Sequence, residues 1–183
     1  MRKLIVVENV SLDGVIEAPE QWAFAYQNAE IAALNKAGMN TSDALLLGRV
    51  TYTDLAGFWP HQTNDESGIA DYINNQAKFV VSSTLKKADW HNTTILSGDL
   101  VEEITRLKGQ RGKHIVVIGS ARLVQSLMKA KLIDEYQLFL MPLVLGRGKQ
   151  LFPAGMEAQK LQLVETTPFS SGAVLMRYQP ATQ

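Results

Sequence analysis

The sequence predicts an α/β domain of three layers, with a mixed, mostly parallel sheet between helices and antiparallel strands at its C-terminal end. Three observations predict it. Four short runs, Leu4–Val7, Ala44–Leu47, Phe79–Val81 and Ile115–Ile118, are apolar on both faces, as strands covered by helices on both sides must be. Segments of helical period lie between them, so the connections are crossovers and the strands parallel. After Asp134 the pattern changes, and two strands follow each other around "SSG" with no helix between them, which requires antiparallel pairing.

Each element has a local reason. "NAEIAALNKAG" sets Ile31 and Leu34 on one helix face, with Gly38 placed as a C-terminal cap. "DLVEEITRLKG" opens on Asp99 with Glu102 three residues later, a capping box, and Val101, Ile104 and Leu107 mark its apolar side. "SARLVQSLMKAKLID" carries Leu123, Val124, Leu127 and Met128 at helical spacing. "EYQLFLMPLVLGRGKQLF" is a strand running into a glycine-rich turn, and "LQLVETTPFSSGAVLMRYQ" is the terminal strand pair. With 183 residues, 46% of them hydrophobic, one domain over residues 1–180 buries a sizeable core; the closing "PATQ" is expected to fray.

Charge and composition remove several functions. Lys+Arg and Asp+Glu both count 18, so no basic surface for nucleic acid or membrane is expected, and any bound anion is held by a local site. Cysteine is absent, which excludes disulfides, thiolate nucleophiles and Cys-ligated metals and fits a cytoplasmic setting. The first apolar run ends at Glu8, too short for a signal peptide or a membrane span. HExxH, Walker A and GxSxG patterns are missing, and the adjacent acids Asp65-Glu66 and Glu102-Glu103 read as caps and solvated faces, so no metal site is expected.

Three strand ends share one character: Gly48-Arg49-Val50-Thr51, Ser82-Ser83-Thr84 and Gly119-Ser120-Ala121. In open α/β sheets ligands collect at the carboxyl ends of strands. Glycine admits close backbone approach, helix-start amides donate to an anion, Arg49 adds a forked cation, and the hydroxyls add donors. Singly these are ordinary turn residues; their recurrence points to a phosphate-bearing ligand.

The series "SLDG", "LLLGRVTY", "FVVSS" and "IVVIGSARLVQSLMKAKLIDEYQLFLMPLVLGRGKQLF" resembles the dihydrofolate reductase superfamily over almost the whole chain, and within it the reductase domain of the bacterial bifunctional deaminase-reductase of riboflavin biosynthesis. The resemblance implies a dihydrofolate reductase-like fold, NADPH as cofactor, a small-molecule substrate and a homodimer. It further implies that Gly48, Arg49 and Thr51 hold cofactor phosphates, that Ser82, Ser83 and Thr84 lie near the adenosine 2′-phosphate, and that Gly119, Ser120 and Ala121 form the second phosphate turn, backed by Leu123 and Val124. The family commonly has two adjacent glycines at that turn, where this chain has Gly119-Ser120.

The substrate side departs from folate reductases. Counting from Trp22, the carboxylate that bonds the pterin falls on Gln27, Glu30 is a turn too far, and the arginine for the folate tail falls on Gln76. Asp13 of "SLDG" is the first candidate for substrate contact and catalysis and Glu17 the second for contact, although Asp-Gly is also a favoured turn. Tyr52 is a candidate proton donor. Trp22, Phe24, Tyr26, Phe58 and Trp59 are candidates for an aromatic pocket, with Trp22 and Trp59 foremost, and His61 ranks low. The expectation is an NADPH-dependent reductase of a small heterocyclic or carbonyl compound, similar to 5-amino-6-(5-phosphoribosylamino)uracil reductase. The alternatives are a nucleotide- or flavin-binding protein without catalysis and an accessory subunit.

Overall fold

The computed structural model describes residues 1–62 and 68–181. Asp65 and Glu66 lie outside them, as do the last two residues of the tail. Eight strands, β1 (Leu4–Ser11), β2 (Ser42–Gly48), β3 (Ala77–Val81), β4 (Thr93–Leu96), β5 (His114–Val117), β6 (Glu135–Met141), β7 (Leu161–Pro168) and β8 (Val174–Pro180), form one sheet in the order β4-β3-β2-β5-β1-β6-β8-β7. From β4 to β6 every neighbouring pair is parallel; β6/β8 and β7/β8 are antiparallel, as the helix-free C-terminal segment predicts.

The helices are α1 (Ala29–Met39), α2 (Arg49–Phe58), α3 (Ile69–Asn75), α4 (Leu100–Gly109) and α5 (Ala121–Lys129), and they cover both faces. The leucine run before Gly48 shows why a central strand must be apolar throughout. Leu46 points into the core built by α4 and α5 with Ile104, Leu123 and Leu127, while Leu45 and Leu47 point into the opposite core with Tyr52 and Val80. All three leucines are fully buried, which stabilises the fold by roughly 1.5–3 kcal/mol per side chain. On that second face α1 places Ile31 against Phe139, Met141 and Leu175.

Some local readings change. Strand β4 follows Asn92 with only four residues, two of them threonine, so it carried little apolar signal. Asp99 caps α4 as expected, accepting from the amides of Val101 and Glu102, but Val101 is 47% exposed and Leu100 packs on the core instead. Gly38 lies inside α1, whose C-cap is Asn40. Lys78 in β3 is fully buried; its Nζ donates to the carbonyls of Ile73, Asn74 and Gln76 at 3.0, 2.9 and 2.8 Å and lies over the Trp90 ring. The ammonium thereby helps satisfy the carbonyl end of α3, together with the Gln76 amide on the Tyr72 carbonyl and Asn92 Nδ2 on the Asn75 carbonyl. Gln76, expected in place of a folate-tail arginine, is the C-cap of that helix.

Candidate functional site

Four longer helices divide into two kinds. α1 and α4 begin with side-chain caps, Asn28 accepting from the Ile31 amide and Asp99 from two amides. α2 and α5 begin on Gly48 and Ser120, neither of which caps with its side chain. These two uncapped starts are the ones that meet: a Cβ on Gly119 would stand 2.8 Å from Thr51 Oγ1, and one on Gly48 would run into Ser120 Oγ. Gly119 also has φ +53°, a conformation that favours glycine. Ser120 fits beside Gly48 because Gly48 has no side chain, which answers the missing second glycine. The starts of α2 and α5 thus lie side by side, each with the positive partial charge of a helix N-terminus. Arg49 is the first residue of α2, exposed and, among the described residues, in no ion pair.

The third loop adjoins them, since Gly48 pairs with Val81 in the β2/β3 register. Ser82 is buried and its Oγ accepts from the amides of Thr84 and Leu85 at 3.2 and 2.9 Å, so it holds its own turn, while Ser83 and Thr84 remain exposed. Ala121, Leu123 and Val124 are buried in the core beneath the α5 start. They support the turn from inside.

Beside these two helix starts the sheet opens. β1 stays paired with β6 through Ser11↔Met141, but its pairing with β5 ends at Val6↔Val117. Glu8 reaches across the resulting gap, and its Oε1 accepts from the Gly119 amide at 2.6 Å. The residue is 7% exposed, and burial pushes its carboxyl up to about 8, opposed only by that amide. Sequence reasoning treated Glu8 merely as the end of an apolar run. The signal was available: an acid between core residues Val6 and Val10 breaks the pattern of a buried strand and needs a reason.

A cavity of about 740 Å³ lies next to Glu8, between α1, α3 and the sheet, with Val7, Asn9, Gln27, Ile31 and Phe139 among its lining. Gln27 therefore borders it as a neutral amide. Glu30 does not replace it, because its carboxylate is held by the amide and hydroxyl of Ser170, both at 2.8 Å.

The other substrate-side candidates separate. Asp13 accepts from Ser11 Oγ at 2.6 Å and from the amides of Leu145 and Gly146 at 3.1 and 2.7 Å, bonds that hold its carboxyl well below the usual range. Glu17 accepts from the Lys149 amide at 3.2 Å and pairs with the Lys149 ammonium. Both acids tie the "SLDG" turn to the "LGRGKQLF" turn. Tyr52 is corrected from proton donor to core residue: its side chain faces the sheet from the first turns of α2, packs on Trp90, and its hydroxyl accepts the Trp90 amide at 3.2 Å. The aromatic pocket does not assemble either. Trp22 and Tyr26 pack at the α1 core, Trp59 joins Tyr52 in the other, Phe24 and Phe58 are exposed, and His61 borders a separate cleft beside Trp90. Among the described residues no cluster of three or more His, Asp or Glu is placed to hold a metal, and no helix is long and apolar enough to cross a membrane.

The sheet order and the helices on both of its faces define an α/β fold of the dihydrofolate reductase type. The chain belongs to the RibD C-terminal domain family, whose profile matches residues 2–175. It is 30% identical over 183 residues to the uncharacterized protein YyaP of Bacillus subtilis (strain 168), covering 97% of this chain and 94% of that one. Among solved structures it is similar to a Shewanella sp. PV-4 protein named for riboflavin biosynthesis, with TM-score 0.79, 21% identity, and 98% and 99% of the two chains covered. It is also similar to the dihydrofolate reductase of Enterococcus faecalis complexed with NADP(H), with TM-score 0.63, 16% identity, and coverage of 98% and 97%. At these identities the two structures speak for the fold.

Proposed function

We propose that this protein is an NADPH-dependent reductase of a small heterocyclic or carbonyl substrate. The observation that carries the reading is the meeting of two uncapped helix N-termini at Gly48 and Ser120, with Arg49 beside them. A dinucleotide fits those residues: the amides at the starts of α2 and α5 and the Arg49 guanidinium take its phosphates, Thr51 and Gly119 shape the turn between them, and Ser83 and Thr84 take the 2′-phosphate. When bound, the dihydronicotinamide supplies a hydride. The cavity under α1, with Val7, Ile31 and Phe139 among its walls, receives the substrate. Gln27 in place of a carboxylate argues against folate. The ionised Asp13 fixes the loop beside the site and does not donate a proton.

A homodimer and a cytoplasmic setting go with this reading. Leu163 and Val164, about half exposed on the edge strand β7, support the dimer. The test is NADPH oxidation by purified protein over a panel of pyrimidine, pterin and simple carbonyl compounds, with the absorbance of the purified protein recorded beforehand. NADPH consumption with at least one class is the expected outcome. A yellow protein that never oxidises NADPH would favour flavin binding without hydride transfer.

A further inference from the structure

Reducing a C=O or C=N bond takes a proton as well as a hydride. Neither acid offered by the sequence is free to give one: Asp13 is ionised and engaged by three donors, and the Tyr52 hydroxyl is inside the core on the Trp90 amide. Glu8 differs from both. It stands where β1 and β5 part, it borders the cavity, and its Oε1 is occupied by the Gly119 amide. Among the described residues its Oε2 has no hydrogen-bond partner, and the residue keeps a small exposed edge.

Its burial keeps the proton on, against the donating Gly119 amide and the positive start of α5. Burial is the dominant influence, and no ion pair among the described residues includes Glu8. Tyr136, diagonal to it on β6, is buried and held neutral by that burial. His114 on β5 and Glu135 on β6 stand at the opposite ends of their strands, with Lys3 preceding β1 at that end. Arg122 on α5 and Arg49 on α2 are exposed. With a carboxyl at about 8, Glu8 is mostly protonated at neutral pH.

We propose that Glu8 is the acid that protonates the substrate heteroatom during reduction, an inference that rests on the reductase reading above. The substrate carbon gains the hydride of a dihydronicotinamide, the C=O or C=N π pair moves to oxygen or nitrogen, and that atom takes the proton from Glu8. The products are an oxidised nicotinamide, an alcohol or amine, and a Glu8 carboxylate. The Gly119 amide stabilises that carboxylate until water returns a proton through the exposed edge. Gly119 therefore serves the cofactor turn and the acid together.

The test uses the full chain with ¹³C-labelled glutamate, and follows side-chain carboxyl shifts against pH by NMR, with E8Q as the assignment blank and E8L should E8Q not fold. The expected result is one carboxyl with a midpoint near pH 8 that is missing from the variant. A Glu8 midpoint in the ordinary glutamate range, about 4.3, would overturn the proposal, since no proton would be there to give. Tryptophan fluorescence then compares NADPH binding to wild type and E8Q. Comparable affinity is expected, because a glutamine oxygen still accepts the Gly119 amide, together with a loss of NADPH oxidation of about 10²–10⁴-fold in E8Q. Undiminished oxidation by E8Q would overturn the role of Glu8 and leave the reductase reading standing. Failure of wild type to bind NADPH would instead overturn that reading, and the role of Glu8 with it.

Discussion

The slit beside Glu8 and the turn around Asp13 lie on the same strand and the loop that follows it, and each presents one carboxyl, yet they are opposites. Asp13 is solvated, accepts from a hydroxyl and two amides, and is held ionised. Glu8 is buried, has one amide, and is held protonated. The same chemical group becomes a clamp in one place and an acid in the other, because hydrogen-bond donors favour the charge and burial disfavours it. The helix starts repeat the lesson. α1 and α4 satisfy their N-termini with Asn28 and Asp99, whereas α2 and α5 begin without a side-chain cap.

The largest expected effect separates the two carboxyls by pH. Between pH 4.5 and about 8 the native state holds a proton on Glu8 that the unfolded chain has released. The stability linked to it is complete below that window and gone above it, falling by as much as about 1.4 kcal/mol per pH unit on the way. Thermal melts of wild type should show this decline, and E8Q should flatten it. An unchanged slope in E8Q would mean that Glu8 is ionised in the native state, like Asp13.

A smaller effect is expected at the turn that joins acid to cofactor site. Gly119→Ala forces a Cβ against Thr51 Oγ1 at a positive φ, and should cost about 1–3 kcal/mol in chemical denaturation as well as weakening NADPH. Full stability of that variant would show that the two helix starts are not in contact. The smallest effect belongs to Asp13→Asn. Asp13 contributes above pH 3.8 and loses that contribution as the pH falls towards 2, so the variant should differ from wild type in the pH dependence of melting only on the acid limb.

Much of the fold was legible because it follows from periodicity. The leucine run of β2, the buried face of α5 and the change after Asp134 each required one arrangement, and each is found. The uncapped starts of α2 and α5 were legible too, since Gly48 stands at a strand end with a helix directly after it and Gly119-Ser120 follows β5 directly before α5. The substrate side was less so. Tyr52 follows the turn in sequence, but α2 rotates it onto the sheet, and aromatics close in sequence are distributed between two cores. Asp13 carried the right signal for a turn, while its partners, the amides of Leu145 and Gly146, are remote in the chain. Glu8 depended on where β1 and β5 separate, a property of pairing between distant strands.

The most direct test of the central claim is a fluorescence titration of wild type and Arg49→Ala with NADPH and with NADH. Wild type should bind NADPH more tightly than NADH, and Arg49→Ala should weaken NADPH by about 1.5–3 kcal/mol, the worth of a hydrogen bond to a charged group, while its melting curve stays that of wild type. Equal NADPH affinity in the two proteins, or no binding to either, would contradict an anion site at the meeting of α2 and α5.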